Sequence, residues 1–385
     1  YQELRAMLSQ HDYIFKSETD TEVLGALIDY LYQQNGAGDL LGAIMNALKM
    51  VVGAYGIAVL SDKNPDEIIV ARKGSPLIIG VSDGETYIAS DASAILGYTD
   101  KVIYLNDGEV GVCRRDGVEL FDIEARKLDA KTEKLEMDMQ AIQKKGFEHF
   151  LLKEIYDQPE TVRSTLSGRV HKDEHYVRLG GLNMTEEDLR AVRHILVVGC
   201  GTAYYAGLQA GYFVERLLDN VTLESQVASE LRYRSFSLPE GTVALIVSQS
   251  GETADTLACL QELKRRGIRT VGIVNAVGST IAREVDGGVY VHVGAEISVA
   301  STKAFTSQVA AITMFGMMVA TAQGASAEQL SEYVDELDAL PGEIEKVLGE
   351  YGKEVQAIAK KYAKYDNALY VGRDSLFPTA LEGAL

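Results

Sequence analysis

The sequence predicts a multidomain chain of the α+β and α/β classes, in which a hairpin-rich front part precedes a doubly wound parallel sheet. Three observations carry this expectation. The chain has 385 residues, more than one ordinary hydrophobic core accommodates. Short β-type runs separated by Gly, Asp and Asn clusters fill residues 57–105, whereas buried-type strands alternate with helical stretches after Val192. Between the two, from Phe121 to Lys145, acidic and basic residues alternate with little apolar content, as in Glu124-Ala125-Arg126-Lys127-Leu128-Asp129-Ala130-Lys131. A charge run of this kind reads as a solvated connector and marks a domain boundary.

Taken in order, residues 1 to about 35 read as helical with a break at His11–Lys16. Ser17-Glu18-Thr19-Asp20-Thr21-Glu22 then supplies capping residues ahead of Val23, Leu24, Leu27 and Ile28. Strands are expected at Ile57–Leu60, Ile68–Ala71, Leu77–Val81, Tyr87–Ala89 and Val102–Leu105. Five parallel-type strands follow at His194–Gly199, Val221–Gln226, Val243–Ser248, Thr270–Asn275 and Val289–Val293, with helices at Tyr204–Leu218 and Thr253–Arg266 between them. Helical pattern resumes over Ala304–Ala322 and from Ala327 to Lys364. A last run, Ala368–Gly372, reads as the strand that opens a further α/β unit, and the chain stops soon after it. The expected spans are therefore 1–120 for the front domain, 121–150 for the linker, 151–330 for the first α/β domain with its preceding helices, 331–364 for connecting helices, and 365–385 for the start of another α/β unit. The sequence is expected to be a piece of a longer protein.

Composition narrows the function. Hydrophobic residues make up 46%, with 36 Gly and 6 Pro, as in well-packed globular chains. A formal net charge of −19 repels phosphate backbones and anionic lipid surfaces, so nucleic acid and membrane are not expected partners. A small sugar phosphate is not excluded, because local dipoles bind a single phosphate whatever the global charge. The three cysteines, Cys113, Cys200 and Cys259, form no CxxC pair and no Cys/His spacing, so neither a disulfide framework nor a metal site is expected, and a reducing cytoplasm is the simple reading. The start, Tyr1-Gln2-Glu3-Leu4-Arg5, lacks a basic segment followed by an apolar one. The longest apolar run, Ala310–Ala322, is shorter than the roughly 20 residues a bilayer span needs.

Ligands of open parallel sheets bind beyond the carboxyl ends of the strands, and three such ends are rich in small polar residues. The first, Gly199-Cys200-Gly201-Thr202-Ala203, lets backbone approach a ligand and places a hydroxyl at a helix start, although a glycine turn there is also a packing device. Cys200 reads as an ordinary small residue, with no His or Asp beside it to make a nucleophile. The second, Ser248-Gln249-Ser250-Gly251-Glu252-Thr253, delivers three hydroxyls and an amide onto a helix N-terminus, where unpaired N–H groups favour an anion. Capping by Ser250 would explain one hydroxyl but not the whole run. The third, Glu296-Ile297-Ser298-Val299-Ala300-Ser301-Thr302-Lys303, again feeds a helix. Lys303 either faces a ligand or snorkels from that helix.

Together these loops resemble the sugar isomerase (SIS) domain, and specifically the isomerase half of the glutamine:fructose-6-phosphate aminotransferase (glucosamine-6-phosphate synthase) family. Lys153-Glu154-Ile155-Tyr156-Asp157-Gln158-Pro159, Ala228-Ser229-Glu230-Leu231-Arg232-Tyr233-Arg234 and Ala380-Leu381-Glu382-Gly383-Ala384-Leu385 extend the likeness. In the front part, Ser17–Glu22, Gly53-Ala54-Tyr55-Gly56, Gly74-Ser75-Pro76-Leu77 and Ala89-Ser90-Asp91 resemble the class II glutamine amidotransferase domain, an Ntn-type fold of stacked β-sheets between helices.

The resemblance implies that a phosphate sits against Ser248, Ser250 and Thr253 with Gln249 nearby. It also implies that Cys200, Gly201, Thr202, Val299, Ser301 and Lys303 complete the sugar site and that Glu382 is catalytic. Asp20 would hold the α-amino group of glutamine; locally it also reads as a helix cap, and the two are compatible. Ala203 stands where the family commonly has Ser, which removes a hydroxyl. The implied reaction converts fructose 6-phosphate and glutamine into glucosamine 6-phosphate and glutamate for the UDP-N-acetylglucosamine pathway, with no metal or organic cofactor, in a homodimer formed through SIS domains. The family's N-terminal cysteine nucleophile and further catalytic groups match nothing in this chain, so the chain alone is expected to be inactive. Two other readings stay open. One is a non-catalytic phosphosugar-binding SIS regulator, against which the acidic, β-rich front argues. The other is an SIS-type fructosamine deglycase or glucosamine-phosphate deaminase, against which the amidotransferase-like front counts.

Overall fold

A computed structural model describes residues 1–34, 38–75, 77–90, 92–135, 144 and 146–385. It divides into two compact units, Tyr1–Met139 and Gln140–Leu385.

The first unit opens with helices α1 (Gln2–Ser9), α2 (Asp20–Gln34) and α3 (Leu40–Met50), followed by strands β1 (Tyr55–Ser61), β2 (Asn64–Lys73), β3 (Ile78–Ser82), β4 (Glu85–Ala89), β5 (Lys101–Tyr104), β6 (Glu109–Arg114), β7 (Gly117–Asp122), β8 (Lys127–Leu128) and β9 (Glu133–Lys134). They form two antiparallel sheets, ordered β1-β2-β6-β7-β8 and β4-β3-β5-β9. Leu8, Leu27, Ile44, Ala47 and Leu48 of the helices bury themselves against Ile69, Ala71, Val110 and Val112 of the first sheet. Val70, Cys113 and Leu120 share a second core with Ile79, Ile103 and Leu105. Alternate residues of one strand thus feed the two cores, as the twofold period of a strand requires.

Helix α3 was not read from sequence. Its residues Leu40, Ala43, Ile44, Met45, Ala47 and Leu48 are buried, which leaves little polar face to show a helical period, and only Asp39, accepting from the Gly42 amide at 2.8 Å, marks its start. The charged run after Phe121 carries β8, paired with β7, and β9, paired with β5. Its charges serve an exposed sheet edge: Arg126 bonds Asp122 at 2.6 Å and Lys127 bonds Glu119 at 2.6 Å. The remainder of that run, 136–143 and 145, lies outside the described residues, as do Pro76 and Asp91 of the quoted front motifs.

The second unit begins with α4 (Phe150–Leu166), a two-stranded hairpin of β10 (Val170–His171) and β11 (Tyr176–Val177), and α5 (Glu186–Ala191). The doubly wound part follows as β12 (His194–Gly199), α6 (Thr202–Leu217), β13 (Thr222–Val227), α7 (Ala228–Leu231), β14 (Thr242–Ser248), α8 (Ala254–Arg265), β15 (Arg269–Val274), α9 (Thr280–Glu284) and β16 (Gly287–Tyr290). All five strands are parallel, in the order β13-β12-β14-β15-β16. The order reverses between β12 and β14, which is where such sheets open a crevice. Their residues alternate between two cores: Ile195, Val197, Leu245 and Val247 face one, and Leu196, Val198, Ala244 and Ile246 face the other.

Three helices close the chain, α10 (Lys303–Ala322), α11 (Ala327–Tyr362) and α12 (Leu376–Ala384). By length and apolarity α10 would span a bilayer, but most of it is buried in the first of these cores, with Ile312, Met314, Phe315 and Met317 at most 1% exposed. The expected strand Ala368–Gly372 is a correction. These residues are irregular and exposed, Leu369 at 89% and Val371 at 82%. An isolated strand has no partner for its amides and carbonyls, and none of the described strands pairs with it. The chain instead turns at Asp374, which pairs with Arg216 of α6 at 3.1 Å, into α12, which docks on α6 through Thr379 Oγ1 donating to Gln209 Oε1 at 3.0 Å.

Candidate functional site

At the carboxyl ends of β12 and β14 lies a cavity of about 300 Å³. Its lining draws on all three polar loops: Cys200, Gly201, Thr202 and Ala203; Val247, Ser248, Gln249, Ser250 and Thr253; and Glu296, Ser298, Val299 and Ser301, with Gln308 and Leu385 beside them. Nine of the expected site residues therefore meet in one place.

Each loop has a local reason for its shape. Gly201 has φ +52 and ψ −126, and Gly251 has φ +65, conformations that side chains disfavour. A Cβ on Gly251 would also stand 1.9 Å from Ser279 Oγ. Ser248 Oγ accepts from the Gly251 amide at 2.9 Å and lies 3.2 Å from Thr253 Oγ1, which folds the second loop back over the start of α8. Ser250 accepts from the Glu252 amide at 3.2 Å and does not cap α8, whose N-cap residue Thr253 makes no side-chain cap bond either. The capping alternative for Ser250 is thus not what the loop does.

Two glutamates that sequence reading passed over shape the third loop. Glu296 accepts from the Thr302 amide at 2.9 Å, the Ala304 amide at 3.2 Å and Ser301 Oγ at 2.7 Å, so its carboxylate sits on the N-terminus of α10. Glu154 of α4, 1% exposed, accepts from the Ile297 amide at 2.6 Å, the Ser298 amide at 3.2 Å and the Ser298 hydroxyl. Glu296 was legible as an acidic residue a few positions ahead of a helix start. Glu154 was not, because its partners lie more than 140 residues further along the chain.

Lys303 is the departure among the site residues. It neither lines the cavity nor snorkels: it is 2% exposed and points to α4, where Asp157 lies 3.6 Å away and also holds Lys153 at 2.6 Å. Burial lowers its pKa, with Asp157 opposing. Val299 stands fully exposed at the cavity lip. Cys200 is half-buried at the wall, with Thr256 Oγ1 3.8 Å from its sulfur.

Glu382 on α12 accepts from Thr202 Oγ1 at 2.8 Å through Oε1, and its Oε2 is buried without a partner. Burial raises its pKa, the Thr202 bond opposes this, and Glu296 adds to the rise. In the first unit, Asp20 is the exposed first residue of α2. Its carboxylate meets the Thr21 hydroxyl at 3.5 Å and caps nothing, since Thr19 Oγ1 accepts from the Glu22 amide at 3.4 Å and Glu22 reaches back to the Lys16 and Ser17 amides at 2.8 and 2.7 Å.

Hydroxyl-rich loops at the switch point of a doubly wound five-stranded sheet place the second unit among SIS domains, and the SIS domain family profile matches residues 188–318. The glutamine amidotransferase domain profile matches residues 1–97. Over its whole length the chain is 44% identical to a glutamine–fructose-6-phosphate aminotransferase (isomerizing) of Chlorobaculum tepidum, 43% to that of Thermus thermophilus and 40% to that of Thermotoga maritima. It spans 62% of the length of each of these relatives. Among solved structures, the C-terminal domain of the glucosamine-fructose-6-phosphate aminotransferase from Francisella tularensis superposes with a TM-score of 0.59 at 33% identity, covering 63% of this chain and 68% of that one. The chain belongs to the glutamine–fructose-6-phosphate aminotransferase family.

Proposed function

We propose that the cavity binds a hexose 6-phosphate, and that the whole protein uses it to convert fructose 6-phosphate and glutamine into glucosamine 6-phosphate and glutamate. One observation supports the site assignment above the others. Of the three helices that begin at the cavity, α10 already carries Glu296 on its N-terminus and α6 begins at Thr202, whose hydroxyl is bonded to Glu382, whereas α8 has no side-chain cap and is ringed by Ser248, Ser250 and Thr253. A phosphate there accepts from those hydroxyls and from first-turn amides while lying on the positive end of the helix dipole. Gln249, Cys200, Gly201, Thr202, Val299 and Ser301 are left for the sugar. Ala203 presents a methyl group to the same space.

Glu382 carries the acid–base part of this reading. Its raised proton affinity and its bond to Thr202 suit a group that gives and takes a proton at the opened sugar. Asp20, exposed and not used as a cap, suits the α-amino group of glutamine. The ammonia released from glutamine then adds at C2 of the sugar, water leaves, and a proton shift between C1 and C2 yields the aldose; the support for these steps is the family resemblance. A homodimer through SIS domains rests on the same support. The unpaired thiols Cys113, Cys200 and Cys259 suit a cytoplasmic setting.

Calorimetric titration of this chain tests the site. Glucosamine 6-phosphate and fructose 6-phosphate are expected to bind, and glucosamine and fructose to give no saturable heat. Equal response to phosphorylated and free sugars overturns the reading.

A further inference from the structure

Gln308 lies in the second turn of α10, 1% exposed, and lines the cavity together with Cys200, Ala203, Val247 and Glu296. Its amide oxygen has no hydrogen-bond partner. Other polar groups of the loop cluster are satisfied: Glu154 and Glu296 each hold three donors, and Ser248 holds the Gly251 amide. The hydroxyls of Thr302 and Ser307 close by in the chain are themselves buried without partners, so the amide is not turned to either. A buried amide oxygen without a donor is destabilising, and one that faces a cavity is free to bond what enters it.

We propose that Gln308 is the residue that reads a hydroxyl of the sugar: its side-chain amide takes a hydrogen bond from the carbohydrate part of the ligand, while the loop before α8 takes the phosphate. This rests on the phosphosugar reading of the cavity and adds to it a division of labour. The α8 loop recognises any phosphate, and Gln308 distinguishes a polyhydroxylated ligand from a bare anion. A site built to bond a hydroxyl discriminates strongly against ligands that lack one, because the buried group is then left unpaired.

The test compares affinities of this chain for glucosamine 6-phosphate and for inorganic phosphate, the latter by competition. Gln308→Met removes the amide at nearly constant volume. It is expected to weaken glucosamine 6-phosphate about tenfold or more, to leave inorganic phosphate within about twofold, and to leave the melting temperature of the free protein unchanged or higher. Ser250→Ala is expected to weaken both ligands together. A folded Gln308→Met with an unchanged ratio of the two affinities overturns the proposal, as does a fall in melting temperature with unchanged affinities, which marks a packing role. Gln308→Asn, which keeps the polarity but withdraws the amide, is expected to reproduce the loss of ratio and serves if the Met variant does not fold. Wild-type protein that binds inorganic phosphate as well as the sugar phosphate overturns both this proposal and the reading on which it rests; wild-type discrimination that survives in both variants overturns this one alone.

Discussion

Two of the helices that start at the cavity, α8 and α10, share the same peptide dipole, yet the chain has put a carboxylate on one start and not on the other. The N-terminus of α10 is closed by a residue of its own loop, Glu296, which takes two amides and the Ser301 hydroxyl. The N-terminus of α8 is surrounded by hydroxyls that bond within their loop, and the one carboxylate in its first turn, Asp255, is paired with Arg232 at 2.6 Å. A helix start therefore does not by itself designate an anion site. It matters whether the chain has already placed a carboxylate on it, as Glu296 does on α10.

The largest effect that would break this comparison comes from the α8 loop. Ser250→Ala and Thr253→Ala each remove a hydrogen bond to a charged group, so each is expected to lower phosphosugar affinity by about 1.5–3 kcal/mol in a calorimetric titration. Melting temperatures should barely move, because neither side chain caps the helix. Destabilised variants with intact affinity would mean that α8 is closed in the way α10 is.

A smaller change sharpens the other half. Glu296→Ala strips the cap from α10 and is expected to cost about 1 kcal/mol in urea unfolding, within the usual range for lost caps. It also releases Ser301, so phosphosugar affinity should fall a few-fold, less than for the α8 variants. An unchanged urea midpoint would show that Glu296 contributes nothing to the start of α10.

The smallest effect is in pH. Burial raises the Glu382 pKa in the folded chain, so above the unfolded carboxyl value of about 4.3 the folded state holds more proton than the unfolded one. Stability from this group is then greatest below that value and is lost as pH rises through the folded pKa. Melting curves of wild type and Glu382→Gln between about pH 4 and 7 are expected to converge at the acid end and to separate toward neutrality, with the Gln variant the more stable. Parallel curves would remove the buried character assigned to this carboxyl.

Local signals in the sequence were sufficient for β1–β5, the five parallel strands and the three loops, but β6 (Glu109–Arg114) and β7 (Gly117–Asp122) were not read. β12 and β14 read as unbroken apolar runs because both their faces are buried, and Ser248–Thr253 stood out because one strand end carried more hydroxyls than a cap requires. β13 and β16 were displaced by one and two residues at their starts, where Val221 and Gly287 border turns. Long-range chemistry was not legible. Nothing near Lys303 in the sequence announces Asp157, so a lysine beside Ser301 and Thr302 was expected at the ligand when burial against α4 had claimed it. Gln308 was hidden differently: a single amide in the apolar stretch of α10 has no periodic or motif signature, and only its missing partner distinguishes it.

The bond between Thr202 and Glu382 joins residues 180 positions apart. Between them stands α11, whose 36 residues at 1.5 Å rise make a rod of about 54 Å, and the exposed chain 366–374 that turns back to α6. Closing a connection of that length costs more entropy than any closure within the β12–β16 sheet. The α8 loop is thus built from near neighbours at small closure cost, whereas Glu382 is held at the cavity by a long connection that includes an exposed segment. One small pocket therefore joins a group of local contacts to a single long-range one, and a cut within 366–374 would release the long-range one alone.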